Sequence, residues 1–242
     1  IVRLGHPART LESLRHGTLK YLTSEDAAFV SVQEMDSWRE HLSKKIARTG
    51  SRKITGEERK NIQLEIKNLW KQARQIEEGI SRRLIASAQV VLSTHGGISS
   101  RSLKGEFDWV VLDEASQATE PLSWIPLSRG KKAVFAGDSK QLPPLLFSKP
   151  ALGQGLAVTL FERLQQLLPT GFQTLLRVQY RMHEKIMGFS SSQFYNGKLI
   201  AAESVRKHLL CDLPGVKSLD LTTRPVIFVD TAGTGYEESF NE

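Results

Sequence analysis

Residues 107–114 read Phe107-Asp108-Trp109-Val110-Val111-Leu112-Asp113-Glu114, an apolar run that stops abruptly at two acids. Its first six positions hold Phe107, Trp109, Val110, Val111 and Leu112, so wet and dry faces do not alternate. A strand of that kind suits burial on both sides, the habit of a parallel sheet. Successive strand residues point to opposite faces, so Asp113 and Glu114 share a site only if the chain turns at the second acid. Carboxylates so placed suit metal binding and the positioning of a water; alternatively they only cap the next helix.

Working outward, the runs Ala88–Thr94, Lys132–Gly137, Gln173–Val178 and Pro225–Val229 are also short and rich in Val, Ile, Leu or Phe, and Ile1–Leu4 reads as a further short strand. Helical patterns around Leu156–Leu168 and His183–Phe194 fall between them, an alternating α/β layout. Polar residues cluster just after the runs: Thr94, Asp113 with Glu114, Gly137 with Asp138, and Gln179–Arg181. Ligands of open α/β sheets sit outside the carboxyl ends of the strands, so one catalytic edge is expected.

The segment before the first of these runs has another period. Val32, Met35, Trp38, Leu42 and Ile46 follow helical spacing; residues 48–56 read as a turn; Thr55 with Glu58 forms a possible capping box; and Ile62, Ile66, Leu69, Ala73, Ile76, Ile80 and Leu84 make the seam of a second helix. The spacing predicts an antiparallel helical hairpin over about 24–86, inserted in a core domain, with a second arm of roughly 40 Å. From Trp38 to Arg83 there are 13 Lys/Arg against 6 Asp/Glu, which accounts for the whole formal charge of +7. That surplus favours a polyanion such as nucleic acid or an anionic membrane, or it is a solvated helical face.

Composition excludes other classes. With 242 residues, 40% hydrophobic and 24% charged, the chain can bury an ordinary core and is neither a disulfide mini-protein nor a disordered one. A single cysteine, Cys211, implies no internal disulfide and a reducing, intracellular setting. No apolar run approaches the roughly 18 residues of a membrane-spanning helix, so no membrane partner is expected.

Gly137-Asp138-Ser139-Lys140-Gln141-Leu142-Pro143-Pro144 combines a residue that permits a tight turn, an amide able to touch a phosphate oxygen and a water, and two prolines that stiffen the exit. The alternative is a Pro-rich β-turn. Gln179-Tyr180-Arg181-Met182-His183 offers an aromatic face beside a permanent cation suited to phosphate, or else a buried Tyr with a surface Arg. His95 and His183 have no metal-ligand spacing with Cys211, so a zinc site is not expected.

Val110–Pro121, Phe135–Pro144, Leu176–His183 and Phe194–Leu199 together resemble motifs of superfamily 1 helicases of the up-frameshift group. Arg3–His16, Trp124–Leu127 and Val205–Val216 are similar to the subgroup typified by immunoglobulin mu-binding protein 2 and the DNA polymerase α-associated helicase. The resemblance implies an α/β fold built on RecA-like P-loop NTPase parallel sheets: a first domain over 1–170 carrying the hairpin, and the beginning of a second over 171–242.

It also implies ATP and Mg²⁺ as cofactors and ATP-driven movement along single-stranded DNA or RNA in the 5′-to-3′ direction, in the nucleus or cytoplasm. Asp113 would hold Mg²⁺, Glu114 would be the catalytic carboxylate, Gln141 would sense the γ-phosphate and Arg181 would act as an arginine finger. Tyr180 would stack on adenine, with Asp138 also at the nucleotide. Thr94, His95 and Ser99, the prolines Pro143 and Pro144, Arg9, and the hairpin's Lys44 and Lys45 would face nucleic acid. No G-x-x-x-x-G-K-[ST] phosphate loop occurs in the 242 residues. The chain therefore reads as the middle of a longer enzyme, inactive alone; the competing reading is a non-catalytic nucleic-acid-binding or scaffold protein that has lost the loop.

Overall fold

The computed structural model describes residues 1–5, 8, 10–47, 55–98 and 105–235. The expected turn at 48–54 and the candidates Arg9 and Ser99 lie outside the described residues. The chain divides into a unit over Ile1–Gln166 and a second over Leu167–Glu242.

In the first unit a short strand β1 (Val2–Arg3) pairs in parallel with β2 (Val91–Leu92). Val2, Leu4 and Ile85 are buried there, with Leu19, Leu22, Val91 and Phe107 packed against them. Thr18 caps the short helix α1 (Leu19–Ser24), its hydroxyl accepting from the Tyr21 N–H.

The hairpin follows as α2 (Phe29–Ala47) and α3 (Gly56–Ser87). Trp38 Nε1 donates to Glu65 Oε1 at 2.9 Å and Lys45 lies 4.0 Å from Glu58, so the arms run in opposite senses. Val32 and Leu42 of α2 and Ile62, Ala73 and Ile80 of α3 are buried. The Thr55 hydroxyl accepts from the Glu58 N–H at 3.2 Å, while the Glu58 carboxylate faces Lys45 rather than closing a reciprocal box. The 32 residues of α3 extend it to about 48 Å. At the foot of the hairpin Arg83, and then the Ala28 N–H, hold the Asp26 carboxyl below the usual carboxylate range. A lowered acid contributes above its ordinary value, so this tie is present at neutral pH and is lost as pH falls through the lowered one.

β3 (Phe107–Leu112) matches the expected run. A short helix α4 (Glu120–Leu127) leads into β4 (Gly130–Phe135), which pairs in parallel with β3, Phe107 opposite Gly130 and Leu112 opposite Phe135. β4 begins two residues before the predicted Lys132 because the ladder is set by its partner rather than by its own apolar run. At Gly130 an added Cβ would overlap the Val110 side chain, so only glycine allows this approach. The expectation of fully buried strands is not met: Trp109 and Val111 are 55% and 66% exposed, and only Leu112 of β3 is buried. Among the described residues the pair has no third strand, which leaves much of its apolar surface uncovered.

A single turn α5 (Lys149–Ala151) and a kink at Gly155, φ 89°, precede α6 (Leu160–Leu167). α6 begins four residues later than its apolar pattern suggests because Thr159 and Glu162 form a reciprocal capping box: the Thr159 N–H donates to Glu162 Oε2 and the Glu162 N–H to Thr159 Oγ, each at 3.1 Å. In the second unit β5 (Val178–Gln179) pairs in parallel with β6 (Ile200–Ala201), and α7 (Glu184–Phe194) lies between them in sequence. Of the predicted strand 173–178 only Val178 is extended and paired, and of 88–94 only Val91–Leu92; 225–229 forms no strand. An apolar run becomes a strand only where a partner completes its ladder. The expected continuous sheets thus appear as three parallel pairs among the described residues.

The seam of the hairpin sets its stability. Ile80→Ala is expected to cost about 2–5 kcal/mol and Thr55→Ala about 1 kcal/mol, read from urea midpoints by circular dichroism. An Ile80→Ala chain as stable as the unmodified one would mean that the seam is not closed there.

Candidate active site

β3 and β4 run the same way, so the acids after β3 and the glutamine loop after β4 leave the sheet at one edge. Glu114 adopts φ 52° and ψ 39°, the left-handed turn that brings both carboxylates to that edge. The Glu114 N–H donates to Asp113 Oδ1 at 3.1 Å, and Gln117 Nε2 donates to Glu114 Oε2 at 3.1 Å. Both acids are exposed.

The two loops are joined directly. The Ala136 N–H donates to the Leu112 carbonyl and the Ala115 N–H to the Ala136 carbonyl, each at 2.8 Å. The buried Ser116 hydroxyl then accepts from the Asp138 N–H at 3.1 Å. A Cβ on Gly137 would stand 2.9 Å from the Ser116 nitrogen and 3.2 Å from that of Ala115, so glycine is required for the approach. Asp138 organises the next turn: Oδ1 accepts from the Lys140 N–H at 3.0 Å and Oδ2 from Gln141 Nε2 at 2.8 Å. Asp113, Glu114, Asp138 and Gln141 therefore belong to one local assembly.

This assembly fits the metal half of a magnesium nucleotide. Mg²⁺ keeps several waters and takes one or two carboxylates together with phosphate oxygens. Asp113 offers an exposed carboxylate that accepts a hydrogen bond from the Glu114 N–H. No group of three or more His, Cys, Asp and Glu among the described residues could cage an ion by itself. For the triphosphate the 242 residues supply no phosphate loop.

Tyr180 and Arg181 lie in the second unit, both exposed, Tyr180 at 72%. The Gln179 side chain clamps their turn: Oε1 accepts from the N–H groups of Arg181 and Met182 at 2.8 Å, and Nε2 donates to the Met182 carbonyl at 2.7 Å. His183 caps α7, its Nδ1 accepting from the Lys185 N–H at 3.0 Å. Ser116, Gln117 and Gln179 are positioning groups that sequence reasoning assigned no role. Their signal was an amide or hydroxyl within three residues of a charged candidate.

The nucleic-acid candidates are scattered. Thr94 caps a short turn, its hydroxyl accepting from the Gly97 N–H at 3.1 Å, and Nε2 of His95 is buried without a hydrogen-bond partner, so only the other ring edge is left to a ligand. Pro143 is exposed, whereas Pro144 is buried. Lys44 pairs with Glu40 at 3.4 Å and Lys45 with Glu58 at 4.0 Å, so neither presents its charge without an acid beside it.

Two family models, each described as an AAA domain, match residues 1–149 and 156–242. The chain is 40% identical to the DNA-binding protein SMUBP-2 of Mus musculus over 98% of its own length and 24% of that protein. It is 38% identical to the DNA polymerase alpha-associated DNA helicase A of Schizosaccharomyces pombe over 100% of its length and 36% of that protein. It is 35% identical to an ATP-dependent helicase of Methanocaldococcus jannaschii over 94% of its length and 38% of that protein. The chain thus spans from about a quarter to somewhat over a third of these relatives.

Gly137→Ala is expected to force the two loops apart at a cost of about 1–3 kcal/mol, the range for overpacking. Ser116→Ala, which removes one hydrogen bond, should cost about 0.5–1.5 kcal/mol. Thermal melts of both variants check the order; a Gly137→Ala chain that melts with the unmodified one would show that the loops are not in contact.

Proposed function

This chain belongs to the AAA-domain helicases of the up-frameshift group, and from that premise we propose that it is the middle of an ATP-driven motor that moves 5′-to-3′ along single-stranded DNA or RNA. The observation that carries the reading is the junction at Ser116 and Gly137, which seats the acid pair and the glutamine turn at the ends of adjacent parallel strands.

In this reading residues 1–170 are a RecA-like P-loop NTPase domain with the hairpin as its insertion, and 171–242 begin a second. Asp113 would hold Mg²⁺, which would supply positive charge to offset the charge that develops in transfer. Glu114, fixed by Gln117, orients the attacking water. Gln141 exchanges its bond to Asp138 for the γ-phosphate and so reports nucleotide state to the loop ending in Pro143 and Pro144. Tyr180 stacks on adenine and Arg181 supplies a cation to the transferring phosphoryl group. Thr94, His95 and Ser99 meet the nucleic-acid backbone, and Arg9 is a further candidate of the same kind. No helix among the described residues is long and apolar enough to cross a membrane; the setting proposed is nuclear or cytoplasmic.

In the longer protein, Glu114→Gln is expected to abolish ATP turnover while ATP still binds. Arg181→Ala should slow it by on the order of 10³-fold or more, the scale of a lost arginine finger. Phosphate release with and without single-stranded nucleic acid is the measurement, and turnover at the unmodified rate in either variant would remove that residue's role. The 242 residues alone, without a phosphate loop, are expected to leave ATP intact.

A further inference from the structure

The helix α4 stands directly downstream of the acid pair and is weak by itself. It has eight residues, with Pro126 inside it, well short of the roughly 12–15 at which an isolated helix begins to hold in water. Thr119 occupies its N-cap at φ −61° and ψ 150° without a side-chain capping bond among the described residues. Ala118 before it is extended too, φ −98° and ψ 128°, so two extended residues join the turn 115–117 to the helix. α4 packs against β3 and β4, and Ser123 lies buried in it, its hydroxyl bonded back to the Thr119 carbonyl at 3.3 Å. Non-directional packing sets which face of a helix turns inward; where its first turn sits needs a directional contact.

Glu120, the first residue of α4, supplies that contact. Its Oε1 lies 2.8 Å from Arg163 Nη2 and accepts from Trp124 Nε1 at 3.1 Å. Arg163 comes from α6, whose first turn is itself fixed: Thr159 and Leu160 are buried, and Thr159 and Glu162 close the reciprocal box. Adjacent residues thus divide two tasks, Glu162 locking the start of α6 and Arg163 reaching across to α4. As a stability device the pair is poor, since Arg163 is half-exposed and ion pairs of that kind contribute little. Its place in the chain is the telling feature. Glu120 follows by three residues Gln117, whose amide holds the Glu114 carboxylate, and by four Ser116, which joins the loop of Asp138.

We propose that Arg163 is a positioning residue for ATP hydrolysis: through Glu120 it holds the first turn of α4, and with it Gln117 and the Glu114 carboxylate, in the hydrolytic arrangement. The proposal rests on the reading of Glu114 as the group that orients the attacking water. A misplacement of about 1 Å can cost on the order of 10²-fold in rate, whereas losing an exposed ion pair costs little stability, so the two effects separate. Arg163 reaches the same carboxylate oxygen that serves Trp124, through Nη2, and a lysine ammonium can take the place of that single nitrogen.

The test is steady-state phosphate release by the longer protein on saturating single-stranded nucleic acid, with ATP varied. Arg163→Ala is expected to lower kcat about 10- to 100-fold with KM for ATP unchanged, and its thermal melt should stay within a few degrees of the unmodified protein. Glu120→Gln should act in the same direction, and the double variant should be no slower than the slower single one, because the two residues work as a unit. Arg163→Lys should recover most of the rate. Unmodified kcat in Arg163→Ala, a raised KM, a loss of rate that follows a lowered melt, or no recovery in Arg163→Lys each overturns the proposal. Glu114→Gln is measured alongside. Turnover at the unmodified rate there removes the reading on which the proposal rests, whereas an inactive Glu114→Gln beside a fully active Arg163→Ala overturns the role of Arg163 alone.

Discussion

The register of β3 against β4 is the constraint on which the candidate site depends. It is pinned at both ends by glycine: Gly130 lies where any side chain would strike Val110, and Gly137 where a Cβ would strike the Ser116 backbone. Between them the ladder continues past the last strand residue, since Ala136 both donates to Leu112 and accepts from Ala115. A slip of one residue would turn every side chain of β4 to the other face and move the glutamine loop along the edge. Because Asp113 follows Leu112 and Asp138 follows Gly137 without a spacer, their separation is set by backbone pairing rather than by flexible side chains.

The left-handed Glu114 shows how that constraint is used. A non-glycine residue there costs on the order of 1–2 kcal/mol, and persists only where its surroundings over-determine it. Three contacts do so: the Glu114 N–H to Asp113, Gln117 to the Glu114 carboxylate, and the Ala115 N–H to the Ala136 carbonyl. Without the turn, adjacent strand residues would send the two carboxylates to opposite faces. The strain and the shared edge are one feature seen in two ways.

What was legible in the sequence follows the same physics. β3 and both hairpin arms could be read because their patterns are long or sharply ended, and the acid pair because it interrupts an apolar run. The start of β4 was not legible, since Gly130 and Lys131 are extended only through β3. The runs 173–176 and 225–229 have strand composition but no ladder partner among the described residues, and pairing is not a local property. Within the site the chemical groups were readable but their supports were not. Ser116 matters through a bond to Asp138, 22 positions away, which no spacing rule encodes, whereas Gln117 and Gln179 act on residues two or three positions away. The acid beside Lys45 was not legible for the same reason as Ser116, because Glu58 comes from the other arm.

The two faces of α3 obey different accounts of stability. Each buried seam residue such as Ile80 contributes about 1.5–3 kcal/mol, whereas a like-charge pair one turn apart costs only about 0.2–0.5 kcal/mol. A hairpin with four buried residues on α3 alone can therefore carry the exposed Lys67 and Lys71 one turn apart without losing its helix. Two acids of the same helix are used on the seam side, where Glu58 meets Lys45 and Glu65 receives the Trp38 N–H, while Glu78 on the outer face pairs with Arg74. Segregation of this kind keeps the arms in register and leaves the outward field positive along most of the helix, so the same sequence sets both where the hairpin packs and which sign of charge it presents.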